Sequence, residues 1–177
     1  MKNASIVELF KEHQLFEKSI ILERYQYLKV GGSIDTNIYY IENGSLKIFL
    51  LDETEERIVR FGYKNNLIVS IDSFLNNKPS ELYIQALKKT EIQVITKKKF
   101  SEFINSSNER MKLWLTILED LVLQQIEREK DLLISSPKER YERVLKRSPQ
   151  LFQEIPNKHI ANYLRMSAET LSRLKNS

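Results

Sequence analysis

The sequence contains no cysteine and only two histidines, His13 and His159. That excludes disulfides, thiolate metal sites, cysteine-ligated iron–sulfur clusters and cysteine nucleophiles, and leaves little imidazole for acid–base or metal chemistry. Glycine and proline are scarce, four of each in 177 residues, so there is little material for a glycine-rich phosphate loop and none for a collagen-like repeat. No apolar run approaches the roughly 18 to 20 residues that would span a bilayer. The opening stretch from Met1 to His13 sets acids among its apolar residues, unlike a secretory signal or transit peptide. These features point to a cytoplasmic protein with no membrane partner. With no nucleophile–base constellation and no metal-ligand cluster, the expectation is a non-enzyme with no cofactor and no metal. What remains is 41% hydrophobic and 29% charged, a globular profile long enough for one large domain or two small ones.

Charge is unevenly placed. The whole chain has 28 basic and 24 acidic residues, a net of +4. Across residues 137–177 nine Lys/Arg face four acids, giving +5, while the preceding 136 residues carry −1. A basic end on a near-neutral body suits a polyanion partner, because Lys and Arg displace counterions from phosphates. A solvated basic surface accounts for the same count.

Hydrophobic spacing divides the chain. Residues 4–16 carry Ile6, Val7, Leu9, Phe10 and Phe16 at mostly helical intervals, a short lead-in helix with His13 on its surface. From residue 20 the texture becomes branched and aromatic. Strand-like runs fall at 20–30, 38–51, 57–61, 67–71, 82–87 and 91–96, with Asn43-Gly44 read as a type I′ hairpin turn inside the second. Such short, regularly interrupted strands indicate an antiparallel sandwich or barrel. Lys97, Lys98 and Lys99 read as a solvated turn before helical sequence. Between 108 and 135 a three-four spacing of Met111, Trp114, Leu118, Leu121, Gln125, Arg128 and Leu132 describes the seam of a helix that packs on another helix. The partner is a second copy or a helix of the same chain. Few helices precede it, which favours a dimer, while Gln125 and Arg128 interrupt a dry seam. Ser135, Ser136 and Pro137 supply a break, an N-cap and a first-turn proline for a new helix through Arg147.

Near the end, Ile160, Ala161 and Leu164 form the inward face of one short helix, and Leu171 with Leu174 that of the next. Arg165, Met166 and Ser167 make a tight turn in which Ser167 caps the second helix and Glu169 suits its positive end. Together they spell a helix-turn-helix, with Met166 in the corner and Ala161 permitting a close crossing. The outward residues would be Ser167, Ala168, Glu169, Thr170, Ser172, Arg173, Asn176 and Ser177. Arg173 can present a fork to guanine, Glu169 can accept from a cytosine amino group, and Thr170 or Ser172 can bond bases or phosphates. Lys158, His159 and Lys175 suit phosphates. An ordinary helical hairpin with a charged outer face is the competing reading of the same pattern.

The order of elements, the run from Tyr39 to Ile48 and above all Ser167-Ala-Glu-Thr-Leu-Ser-Arg173 resemble the Crp/Fnr superfamily of bacterial transcription regulators. The resemblance implies an α+β fold. An antiparallel β-barrel of double-stranded β-helix or jelly-roll type would form the sensor domain over residues 1–108. A dimerisation helix over 109–135 would use Met111, Trp114, Leu118, Leu121 and Gln125. A small helix-turn-helix domain over 136–177 would contact DNA through Lys158, Ser167, Ala168, Glu169, Thr170, Ser172, Arg173 and Lys175. The implied partners are a second copy, a palindromic double-stranded operator, a small-molecule effector in the barrel and RNA polymerase. Members that bind cyclic nucleotides carry a Gly-Glu pair and an Arg-Ser/Thr pair. The matching positions here are Val69, Ser70, Ser80 and Glu81, without the carboxylate or the guanidinium, and Glu81 would repel a phosphate. An effector at these positions is therefore not expected to be a cyclic nucleotide. The sequence stops at Ser177, leaving no room for the two-stranded wing that commonly follows, which suggests an abbreviated subgroup. Arg165 stands where relatives often have glycine, a strain of about 1 kcal/mol if its backbone is left-handed. The alternative is a ligand-binding or protein-interaction module whose shortened C-terminal domain no longer reads specific DNA.

Overall fold

The computed structural model describes residues 3–176, and these form two compact units, one up to Thr116 and one from Ile117. Unit 1 opens with α1 (Asn3–Glu12) and contains two four-stranded antiparallel sheets. One orders β1 (Lys18–Leu22), β8 (Thr90–Ile95), β3 (Ile38–Asn43) and β6 (Leu67–Val69). The other orders β2 (Tyr27–Lys29), β7 (Tyr83–Ala86), β4 (Ser45–Asp52) and β5 (Glu55–Tyr63). Alternate residues of both sheets point into one core. Leu22, Tyr39, Ile41, Ile68, Ile92 and Val94 come from the first sheet and Leu46, Ile48, Ile84 and Ala86 from the second. Burying each large aliphatic side chain contributes about 1.5–3 kcal/mol, so the branched residues that marked these runs as strands also join the sheets into a β-roll.

The expected I′ hairpin at Asn43-Gly44 does not form. Asn43 stays in β3 opposite Glu91 of β8, whereas β4 pairs with β5 and β7, so the chain crosses from one sheet to the other at Gly44. Gly44 has φ 98°, and a Cβ there would lie 2.4 Å from Thr90 Oγ1. Glycine is therefore needed for the close corner, not for a two-residue hairpin. The tight hairpin of this region joins β4 to β5, where Asp52 faces Glu55 across Glu53, itself at φ 55°.

Helices cover the outer side of the roll. Phe10 on α1 meets Phe16, Phe100 and Phe103 edge-on. Between β6 and β7 lies α2 (Ile71–Asn76), and after β8 comes α3 (Lys97–Ile104). The lysine run expected as a solvated turn is instead the first turn of α3, because Thr96 Oγ1 accepts from Lys99 N at 3.3 Å and starts the helix there. Lys97 Nζ is held by the Phe74 carbonyl and, at 2.9 Å, by Asn77 Oδ1. The long α4 (Asn108–Leu133) begins in this unit, where Trp114 packs against Phe74 and Phe100. His13 is exposed on the lead-in segment, its Nε2 2.8 Å from Arg110 Nη2.

Unit 2 contains the rest of α4, then α5 (Pro137–Arg147), α6 (Leu151–Glu154), α7 (Asn157–Tyr163) and α8 (Ala168–Lys175). Ser136 caps α5 by accepting from Glu139 N at 3.3 Å, with Pro137 in the first turn. Val144, Leu151, Ile155, Ile160, Ala161, Leu164 and Leu171 are buried and form its core.

Candidate functional site

The turn between α7 and α8 follows from its residues. Leu164 N bonds Ile160 O at 2.8 Å to finish α7, and Met166 N returns to Ala161 O at 3.0 Å. Arg165 between them has φ 53°. Ser167, extended at φ −72° and ψ 156°, then accepts from Thr170 N at 3.1 Å and opens α8. Ile160, Leu164 and Leu171 are fully buried and lock the two helices together. The pair is the helix-turn-helix that the spacing of apolar residues indicates.

The outer side of α8 lies open. Ser167, Ala168, Glu169, Ser172, Arg173, Lys175 and Asn176 are exposed, as is Lys158 on α7. Thr170 is half-buried, its hydroxyl 2.9 Å from Ser167 Oγ. Lys175 Nζ reaches Asn157 Oδ1 at 3.0 Å, which bridges α8 back to α7 with a neutral partner and leaves its charge uncompensated. Ser177 lies outside the described residues. His159 departs from expectation. It is 8% exposed, on the buried side of α7 beside Ile160, and so is removed from phosphate contact.

The basic surplus is smaller at the surface than in the sequence. Asp131 on α4 is fully buried and pairs with Arg143 Nε at 2.8 Å and with Arg147 through two bonds. Its hydrogen bond raises the Arg147 guanidinium above its ordinary value. Arg143 also holds Glu127. The signal for this cluster was present in the sequence, since two acids four apart on one helix match two arginines four apart on the next. Arg140, 7% exposed, donates to three carbonyl oxygens, those of Ile134, Leu164 and Arg165.

Along α4 the seam residues are divided. Trp114 packs within unit 1, and Arg128 is 7% exposed beneath Tyr163, so neither faces outward along a common stripe. In unit 1 the exposed apolar residues of α4 are Met111 and Leu115; in unit 2 they include Val122, Leu123 and Ile126, at 59%, 60% and 40% exposure. Leu118 and Leu121 are half-buried and Gln125 is exposed. In unit 2 the uncovered apolar stripe includes Val122 and Ile126, each one residue on from the expected seam positions Leu121 and Gln125, and the seam position Leu132 is uncovered as well.

In the β-roll, Val69 is half-buried, Ser70 and Ser80 are buried and Glu81 is exposed. Between the two serines sits Asp72, which accepts from Ser70 Oγ at 3.0 Å. Burial pushes the Asp72 carboxyl up, but hydrogen bonds from Ser80, Ser70 and main-chain amides outweigh it and hold the group below its ordinary value. Lys29, 4% exposed, closes the same region with three bonds to the carbonyls of Leu82 at 2.7 Å, Ser80 at 2.9 Å and Val30 at 3.2 Å. Burial lowers the Lys29 ammonium, opposed by Asp72 and Asp35. Of the positions matched to a phosphate cassette, the two serines are therefore bonded internally, Ser70 to Asp72 and Ser80 to Leu82 N, and the carboxylate of Asp72 lies beside them. Nearby, a cleft of about 330 Å³ is lined among others by Tyr27, Ile34, Asp35, Asn37 and Tyr39. Sequence reasoning did not find it, because its polar floor depends on Tyr39 donating to Asp35 at 2.9 Å across a loop. Among the described residues no group of three or more His, Asp or Glu side chains is placed to hold a metal ion, and no helix is long and apolar enough to cross a membrane.

No protein-family model and no curated protein matches the sequence. Among solved structures, a mutant of CooA from Carboxydothermus hydrogenoformans is 14% identical with a TM-score of 0.74, over 96% of this chain and 82% of that one. FixK2 from Bradyrhizobium japonicum is 13% identical with a TM-score of 0.74, over 90% and 82%. The c-di-GMP-responsive global regulator CLP of Xanthomonas campestris is 14% identical with a TM-score of 0.66, over 98% and 90%. At these identities the likeness is one of fold: the chain has the fold of the Crp/Fnr regulators, an antiparallel β-roll followed by helices.

Proposed function

We propose that the chain is a DNA-binding transcriptional regulator of Crp/Fnr type that acts as a homodimer. The observation that carries this reading is α8, a capped helix whose inner side is anchored by Leu171 and whose outer side offers Glu169, Ser172 and Arg173 to solvent. A helix so held can enter a major groove, where Arg173 would donate to guanine and Glu169 accept from cytosine. Lys158 and Lys175 would set the register through phosphates. The uncovered apolar stripe on α4 supports pairing with a second copy. Two copies would then read a palindrome whose half-sites lie about 34–36 Å apart.

The β-roll would respond to an effector other than a cyclic nucleotide. Asp72 supports this, since its ionised carboxylate among Ser70 and Ser80 would oppose a phosphate placed there. Selection from a randomised duplex pool, followed by fluorescence anisotropy, tests the DNA reading. The expected result is a palindromic consensus whose binding is lost in the double variant Glu169→Ala, Arg173→Ala. A pool that yields no consensus would favour an interaction module instead.

A further inference from the structure

A helix leaves its last carbonyls without intrahelical partners, and burial makes that costly unless other donors reach them. At the end of α7 those donors come from outside the helix-turn-helix. Arg140 on α5 donates from Nε to Leu164 O at 2.6 Å, from Nη2 to Arg165 O at 3.1 Å and from Nη1 to Ile134 O. Arg128 on α4 donates from Nη2 to Tyr163 O at 2.7 Å, with its guanidinium 3.6 Å from the Tyr163 ring centre. Three successive carbonyls, those of residues 163, 164 and 165, are thus held by two guanidiniums, each 7% exposed. Both cations lie at the negative end of α7, where the helix dipole favours them.

Arg165 is the joint of this motif. Its left-handed backbone at φ 53° sets the direction in which the chain leaves α7 and enters α8, and a non-glycine residue keeps such a conformation only where its surroundings enforce it. Resting on the reading of α8 as the DNA-reading helix, we propose that Arg140 is a positioning residue for recognition. It holds the left-handed joint by its carbonyl and so fixes the pose of α8, without touching DNA. Arginine suits this role because one planar fork reaches three carbonyls; a lysine ammonium at the same place is a single point charge on a flexible stem.

The test compares the wild type, Arg140→Lys and the double variant Arg140→Lys, Arg165→Gly. Anisotropy gives the affinity for a duplex selected by the wild type and for a shuffled duplex at one salt concentration, and amide hydrogen exchange reads residues 165–167. Arg140→Lys is expected to lower the ratio of selected to shuffled affinity about tenfold, the scale of one misread base pair, while shuffled binding stays unchanged and exchange at 165–167 rises. Adding Arg165→Gly should restore much of the ratio, because glycine adopts that backbone without strain. A ratio and exchange equal to wild type in Arg140→Lys would overturn the proposal. So would equal loss on both duplexes with faster exchange throughout unit 2, the mark of a general structural role. If the wild type selects no sequence, the DNA reading fails by itself. Exchange at residues 165–167 then decides whether Arg140 holds the joint, unchanged exchange counting against it.

Discussion

Arg165 and Gly44 show how much one backbone angle decides. Arg165 lies at φ 53°, where its Cβ crowds the backbone. Arg165→Gly in the otherwise unchanged chain is expected to raise the stability of unit 2 by up to about 1 kcal/mol, read from urea unfolding. A loss instead would mean that the exposed side chain makes contacts of value. Gly44 is the opposite case, with φ 98° and no room for a Cβ beside Thr90. Gly44→Ala should cost about 2 kcal/mol or more, from strain and overpacking together. Asp72 gives a pH signature. Its folded value is depressed by the hydroxyls of Ser80 and Ser70 and by main-chain amides, which outweigh burial. Its contribution is therefore complete above the ordinary value of 3.8 and is lost as pH falls below that through the folded value. Asp72→Asn should lower the urea midpoint near neutral pH and leave it closer to wild type at about pH 3; a constant difference across that range would refute the assignment.

At the scale of elements, legibility tracked whether one face of the element had a single apolar stripe. The two helices of the motif could be placed from Ile160, Ala161, Leu164 and Leu171 because each buries one narrow face. The strands could be found for the same reason, but their partners could not. Asn43-Gly44 has the composition of a hairpin turn, and only the packing of two sheets makes it a corner. On α4 the spacing marks one seam, but its residues meet different neighbours. Trp114 serves the aromatic cluster with Phe74 and Phe100, and Arg128 serves Tyr163. Val122 and Ile126 are left exposed. If this stripe joins two copies, each aliphatic side chain contributes about 1.5–3 kcal/mol on burial. Val122→Glu with Ile126→Glu should then weaken self-association about a hundredfold or more and give monomers in sedimentation velocity, with the melting of unit 1 unchanged. Dimers that persist in this variant would place the interface elsewhere.

At the scale of the whole molecule, the charge that first suggested a polyanion partner must be counted by what it faces. Of the nine basic residues in 137–177, Arg143 and Arg147 are tied to Asp131, Arg140 is buried among carbonyls, and Lys138 lies 3.9 Å from Glu142. Lys146, Lys158, Arg165, Arg173 and Lys175 remain outward and have no ion pair with an acidic side chain among the described residues. Arg140 and the two arginines paired with Asp131 organise the unit, so that the surplus read from composition is partly structural cement and partly free surface charge. The two uses differ in salt dependence, because only a cation that meets a phosphate releases a counterion on binding. With each phosphate contact contributing about −0.9 to the slope of log affinity against log salt, five cations per chain in a dimer allow about −9, whereas nine would allow about −16. Anisotropy on the selected duplex over a range of KCl should therefore give a slope no steeper than about −9. The double variant Lys158→Gln, Lys175→Gln should flatten it by about four units and weaken selected and shuffled duplexes alike, since these two lysines are assigned to phosphates. A slope well beyond −9 would show that cations of unit 1, or the internally paired arginines, also reach the DNA, and would require the paired set around Asp131 to open on binding.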